Sequence, residues 1–227
     1  MKQAVIGFVT IGQSPRTDIM DDIQDSLPKE VEVIQVGALD HFANLEEVSK
    51  VLRPEPGETV YVTRMRSGQE VKISKEKLMP LMKEKIEQLD KINVDAVVIM
   101  CSGEFPEFES YSIVIYPDKI LKGIVSSIHY KGNAAVLVPS TDHLQYGYNK
   151  WSKYFPEPLI VPISPYTAGL DEFVQVGQRL RKADVKLVVM DCVGYSFRQK
   201  KALRKTAPSA KIMSTRGVVG KIVSELF

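Results

Sequence analysis

Cysteine and histidine are scarce in this chain. Its 227 residues include two cysteines, three histidines and one tryptophan. Two cysteines in a chain this long make no disulfide framework, and their spacing fits no zinc pattern that three scattered histidines would complete. We expect reduced thiols, no metal, no cofactor and a cytoplasmic protein. An excess of charge of one sign is also missing. Thirty Lys and Arg stand against 28 Asp and Glu, leaving a net charge of +2 with no long block of either sign. That balance argues against nucleic acid as a partner. The densest basic cluster, Arg198, Lys200, Lys201, Arg204 and Lys205, reads as the solvated face of a helix. No apolar run approaches the ~18 residues that span a bilayer, and no segment has the form of a signal peptide, so no membrane partner is expected.

What the chain does have is an ordinary apolar fraction, 44%, enough for a proper core. It also has two stretches that rhyme: Val97-Val98-Ile99-Met100-Cys101-Ser102-Gly103 and Val188-Val189-Met190-Asp191-Cys192-Val193-Gly194. Each is a β-branched apolar run that reaches a cysteine, then one residue, then glycine. Buried parallel strands have this continuous apolar character, and ligands of open α/β sheets bind outside the carboxyl ends of such strands. The pattern predicts one thiol at a strand tip in each half of the molecule.

Taken in order, residues 4–10 read as a strand followed by Thr10-Ile11-Gly12-Gln13-Ser14-Pro15-Arg16 and a helix over 17–27. Ser14 is placed as the N-cap and Pro15 as the first helical residue, a terminus suited to an anion. A strand over 31–36 and a helix near 45–52 follow. Residues 59–64 and 70–74 flank Ser67-Gly68-Gln69 as a hairpin with Arg64 and Arg66 at its tip. It is either a decorated edge or a flap. Ser74 caps a helix over about 75–91, with Pro80 as a kink or a later start. Then come the first cysteine strand, a strand over 112–116 and a helix from Pro117. The second half repeats the scheme. It has a strand 134–138 ending in Pro139-Ser140-Thr141-Asp142, a helix with Trp151, a strand 159–163, a helix 171–182, and the second cysteine strand. A helix 196–205, a short strand 211–213 and a last helix 217–227 complete it, the last expected to pack on the first half. Alternating strands and helices predict an α/β protein with mostly parallel sheets and a weak internal duplication. The boundaries are set at 1–116 plus 217–227 for an N-terminal lobe and 117–216 for a C-terminal lobe.

A thiol at a strand tip, flanked by backbone N–H groups, is stabilised as thiolate. Two such thiols on opposite faces of one carbon can exchange its proton, one removing and the other delivering, with no metal or cofactor. The enediolate formed next to a carboxylate needs hydroxyl and N–H donors. Thr10, Gln13, Ser14, Ser102, Ser140 and Thr141 are the candidate contacts, and Arg16, Gly103, Val193 and Gly194 complete the candidate binding loops. The alternative for each cysteine is a small buried packing residue. Asp191 beside Cys192 is expected to bond loop N–H groups, and its charge opposes ionisation of the thiol.

The segments Thr10-Ile11-Gly12-Gln13-Ser14-Pro15-Arg16, the Gly68 hairpin and Met190-Asp191-Cys192-Val193-Gly194-Tyr195 resemble the AroM family, across essentially the whole chain. That family is in turn similar to the Asp/Glu racemase superfamily. The resemblance implies two pseudo-symmetric lobes with a ligand cleft between them and catalytic cysteines at Cys101 and Cys192. It implies action on a small carboxylate, and a homodimer. The chain departs from the racemase pattern in having Ser102-Gly103-Glu104 after the first cysteine and Val193 after the second. The bulky Glu104-Phe105-Pro106 loop has the size to fill or reshape the cleft. Three functions follow: a cofactor-independent racemase or isomerase using both thiols, a non-catalytic carboxylate-binding protein, and a lyase or decarboxylase using Cys192 alone.

Overall fold

The strands are continuous apolar runs that need cover on both faces, and the helices between them carry one apolar stripe each; parallel sheets flanked by helices satisfy both. A computed structural model shows this architecture and describes residues 3–227. In the first half the elements are β1 (Ala4–Thr10), α1 (Thr17–Ile23), β2 (Val31–Gly37), α2 (Leu45–Leu52), β3 (Val60–Arg64), β4 (Glu70–Ser74), α3 (Lys75–Lys91), β5 (Ala96–Met100) and β6 (Ile113–Ile115). The second half has α4 (Pro117–Ser126), β7 (Asn133–Val138), α5 (Leu144–Trp151), β8 (Leu159–Pro162), α6 (Leu170–Lys182), β9 (Val185–Met190), α7 (Phe197–Thr206), β10 (Lys211–Ser214) and α8 (Thr215–Leu226).

Two four-stranded sheets result, with orders β2-β1-β5-β6 and β8-β7-β9-β10, all pairs parallel. Numbered within its own half, each sheet has the order 2-1-3-4. The duplication that is faint in the sequence is therefore exact in topology. β3 and β4 form a separate antiparallel hairpin, Arg64 opposite Glu70, with Gly68 at φ 92° in the turn, a conformation open to glycine at no steric cost. Contacts divide the chain into one unit that runs to Pro117 and takes back Val219–Phe227, and a second unit, Asp118–Val218. The return of the last helix is visible at Gly220, where an added Cβ would overlap the Ser26 hydroxyl. Each unit has its own core, around Ile73, Met82 and Ile99 in the first and around Phe173, Val188 and Leu203 in the second.

Several local expectations are revised. Ser14 is not an N-cap: α1 begins at Thr17, Arg16 is its cap residue without a side-chain bond, and the Ser14–Pro15 peptide is cis. The helix is seven residues long and ends in a 3-10 turn over Gln24–Ser26. Ser74 does cap α3, its hydroxyl accepting from Lys77 N at 3.2 Å, and the helix starts at Lys75 with Pro80 inside it. Ser196 and Gln199 make a reciprocal capping box on α7. Of its basic residues Arg198, Lys201, Arg204 and Lys205 are exposed, but Lys200 turns inward to the Ser214 hydroxyl at 3.3 Å. Burial, then the charge of Arg204, hold the Lys200 ammonium below its ordinary pKa.

Candidate functional site

In a 2-1-3-4 sheet the connection from strand 1 to strand 2 and the path to strand 3 leave in opposite directions. The crevice at the carboxyl ends of strands 1 and 3 is the switch point where α/β sheets take ligands. In the first unit those strands are β1 and β5, with Thr10 opposite Met100. The opening loop and the Cys101 loop therefore emerge side by side. In the second unit they are β7 and β9, and Asp191 N donates to Leu137 O at 3.0 Å, so the Ser140 and Cys192 loops are neighbours.

The two cysteine turns are alike in their hydrogen bonding. Gly103 N donates to Cys101 Sγ at 3.3 Å, and Gly194 N donates to Cys192 Sγ at 3.4 Å. An N–H aimed at sulfur favours the thiolate over the thiol. Both cysteines are outside disulfides; Cys101 is partly exposed and Cys192 is 8% exposed.

Around Cys101 the candidate residues divide by what their side chains hold. Thr10 Oγ1 accepts from Gly12 N and Arg16 Nη1, at 3.2 and 3.4 Å. The Gln13 amide donates to Leu39 O and Phe42 O and accepts from Arg66 N at 2.8 Å. Ser14 donates from both N and Oγ to Asp40 at 2.7 Å. Arg16 is buried with its guanidinium on Asp18. These side chains brace the loop. Arg66 also donates from Nε to Ser14 O at 2.7 Å, so the hairpin tip is tied to the opening loop rather than standing as a bare edge. Ser102 and Gly103 are buried, and an added Cβ at Gly103 would overlap the Tyr61 ring. Tyr61 Oη donates to Glu104 O at 2.9 Å. Phe105 turns into the core of its own unit against Tyr61, so its bulk is spent there.

Around Cys192 the structure adds residues that the sequence reading passed over. Arg216, 1% exposed, donates from Nε to Val193 O at 3.1 Å and from Nη2 to Gly194 O at 2.9 Å. Thr215 Oγ1 donates to Met190 O at 3.0 Å, tying the same strand end. Asp191 bonds side chains rather than loop N–H groups: Lys150 Nζ reaches both its oxygens at 2.9 Å and Trp151 Nε1 donates at 2.6 Å. Behind Lys150 lies Asp118, whose Oδ2 is 3.4 Å from Lys122 Nζ and whose buried Oδ1 has no partner. Burial raises the Asp118 carboxyl above its ordinary range, against the pull of Lys150 and Lys122. Tyr195 donates to Ile163 O at 2.8 Å. Burial, then the charges of Cys192, Asp191 and Tyr166, push its phenol well above the ordinary value. Ser140 Oγ lies 2.9 Å from His143 Nδ1, and Thr141 is exposed at the start of a 3-10 turn. The chain order Ser214-Thr215-Arg216 after a strand was the only sequence signal for Arg216. Lys150 had no signal apart from its place beside the single tryptophan.

Among the described residues no cluster of three or more His, Cys, Asp or Glu side chains could hold a metal ion, and no helix is long and apolar enough to cross a membrane.

Two parallel sheets of one strand order, each with a cysteine turn at its switch point, make a duplicated α/β fold. Solved structures agree. Allantoin racemase from Klebsiella pneumoniae superposes with a TM-score of 0.63 at 12% identity, covering 98% of this chain and 87% of that one. Picrophilus torridus aspartate racemase gives 0.59 at 10%, covering 98% and 94%. Glutamate racemase isoform RacE1 from Bacillus anthracis gives 0.57 at 16%, covering 100% and 82%. At such identities the likeness is one of fold. The chain itself belongs to the AroM family, whose model, described as AroM protein, matches residues 6–227. No curated protein matches the sequence.

Proposed function

We propose that this protein is a cofactor-independent isomerase of a small carboxylate, moving a proton at carbon with Cys101 and Cys192 as base and acid. The observation that carries the reading is the pair of Cys-X-Gly turns at equivalent strand ends, each directing a glycine N–H at sulfur, at 3.3 and 3.4 Å. The solved racemases of allantoin, aspartate and glutamate support it by sharing the fold.

In the reaction one thiolate takes the proton from the carbon next to the carboxylate. The electron pair of that C–H bond moves into the carboxylate as an enediolate. The other thiol then delivers its proton to the opposite face, leaving thiol and thiolate exchanged and the stereocentre inverted. Backbone N–H groups of the two turns, with the hydroxyls of Ser102, Ser140 and Thr141, are the donors for the enediolate, and Thr10 braces the opening loop. Gln13, Ser14 and Arg16 act by holding the shape of the opening loop, and Val193 and Gly194 by carrying the second turn.

The test is deuterium exchange at carbon, followed by proton NMR in D2O over a panel of small chiral carboxylates. Exchange with inversion is expected for at least one, and Cys101→Ser or Cys192→Ser should each lower it by about 10²–10⁴, the usual weight of an acid–base group. Exchange that persists in the double variant, or binding with no exchange across the panel, overturns the reading; the second result leaves a carboxylate-binding protein. The asymmetric bracing favours one further reading. Arg216 clamps the Cys192 turn through two carbonyls. A lyase or decarboxylase using Cys192 alone would tolerate Cys101→Ala and lose all turnover in Cys192→Ala.

A further inference from the structure

The Lys150–Asp191 pair is a deeply buried ion pair of the second unit, with side chains 1% and 4% exposed. Burying two charges costs about as much as their attraction returns, and an apolar pair of the same size is often at least as stable. Stability is therefore a weak reason for it. Its position supplies a better one. Asp191 immediately precedes Cys192, and both sit near the Tyr195 phenol, whose ionisation both oppose. An unpaired carboxylate there would also oppose a thiolate on Cys192. Lys150 spans both of its oxygens at 2.9 Å, and Trp151 Nε1 fills a further lone pair.

We propose that Lys150 is a positioning residue for Cys192: by neutralising and orienting Asp191, it lets the neighbouring thiol carry a negative charge. The proposal rests on the reading of Cys192 as a proton carrier, but it is tested through thiol chemistry, so the two stand or fall separately. The other charged and titratable groups around the turn are Arg216 on the Val193 and Gly194 carbonyls, Tyr195 on the same loop, and Tyr166 beside Gly194. Lys200 comes from α7, with its Nζ on Ser214, and Asp118 and Lys122 of α4 lie behind Lys150. All of these are unchanged in the variants below.

The experiment is iodoacetamide alkylation of the whole protein at a series of pH values, with the two cysteines resolved by digestion and mass spectrometry. Charge logic predicts opposite shifts. Lys150→Met leaves the Asp191 carboxylate without its cation, one residue from Cys192, and should move the Cys192 profile up by about one pH unit or more. Asp191→Asn leaves the Lys150 ammonium without its carboxylate and should move it down. Cys101 in the same sample should keep its native profile. If Lys150→Met does not fold, Lys150→Arg should keep the native Cys192 profile while Asp191→Asn still lowers it. A Cys192 profile that moves the same way in both charge-removing variants, or that stays in place in folded Asp191→Asn, overturns the proposal, because a merely structural pair would loosen the turn alike from either side.

Discussion

Replacing Arg216 by methionine removes the clamp on the Cys192 turn while keeping much of the side-chain volume. Arg216 is 1% exposed, and its guanidinium donates to two carbonyls, Val193 O at 3.1 Å and Gly194 O at 2.9 Å. Each carbonyl left without its donor in a buried site costs about 1–3 kcal/mol. Relief from burying the charge returns part of this, so a net loss of about 3 kcal/mol is expected. For a unit of this size, each kcal/mol lowers the melting temperature by about 4–8 °C, so the shift should be on the order of 10 °C or more. The single tryptophan, Trp151, is fully buried and lies in the second unit, which makes its fluorescence a report on that unit alone. Urea and thermal unfolding followed by this signal should show the loss, and Cys192 should be alkylated faster in the folded variant. A tryptophan transition within about 1 kcal/mol of the native one would refute the view that Arg216 holds the turn.

Two further outcomes can be checked with the same signal. Gly177→Ala should destabilise the second unit: the helix gains about 1 kcal/mol from the propensity of alanine, but the new Cβ overlaps Thr206 Oγ1 and lies 2.7 Å from Leu203 O where α6 meets α7, an overpacking that costs about 1–3 kcal/mol. A more stable Gly177→Ala would show that the two helices can move apart. The raised Asp118 carboxyl has a defined pH signature. The folded state holds that proton at pH values where the unfolded chain has released it, so stability contributed by the protonated form is present at low pH and lost as pH rises through the folded value. Urea midpoints from pH 4 to 7 should fall in the native protein relative to Asp118→Asn, which cannot titrate; parallel curves would remove Asp118 from the account.

The alternation of apolar strands with amphipathic helices, the hairpin around Gly68, the Ser74 cap and the place of both cysteines at strand ends are written in short windows of sequence. Each depends on periodicity or turn chemistry within a few residues, which a linear reading captures. The same local logic misplaced Ser14. As a cap it was plausible from its neighbours, but its hydroxyl goes to Asp40, 26 residues away. Gln13 likewise looks like a ligand-binding amide and is instead shared among Leu39, Phe42 and Arg66.

The class of fold, the duplication and the two thiols at strand ends can be read along the chain, because burial pattern and chain direction are local properties repeated through it. What surrounds those thiols is set by contacts distant in sequence. The partners of Asp191 come from 40 and 41 residues away, and Arg216, which holds the Cys192 turn through two carbonyls, lies 22 and 23 residues beyond them. Nothing in the pattern near a lysine or an arginine says which buried carboxylate or carbonyl it will meet. That pairing is set when strands of non-consecutive order are laid side by side, and with it the electrostatics of the candidate site.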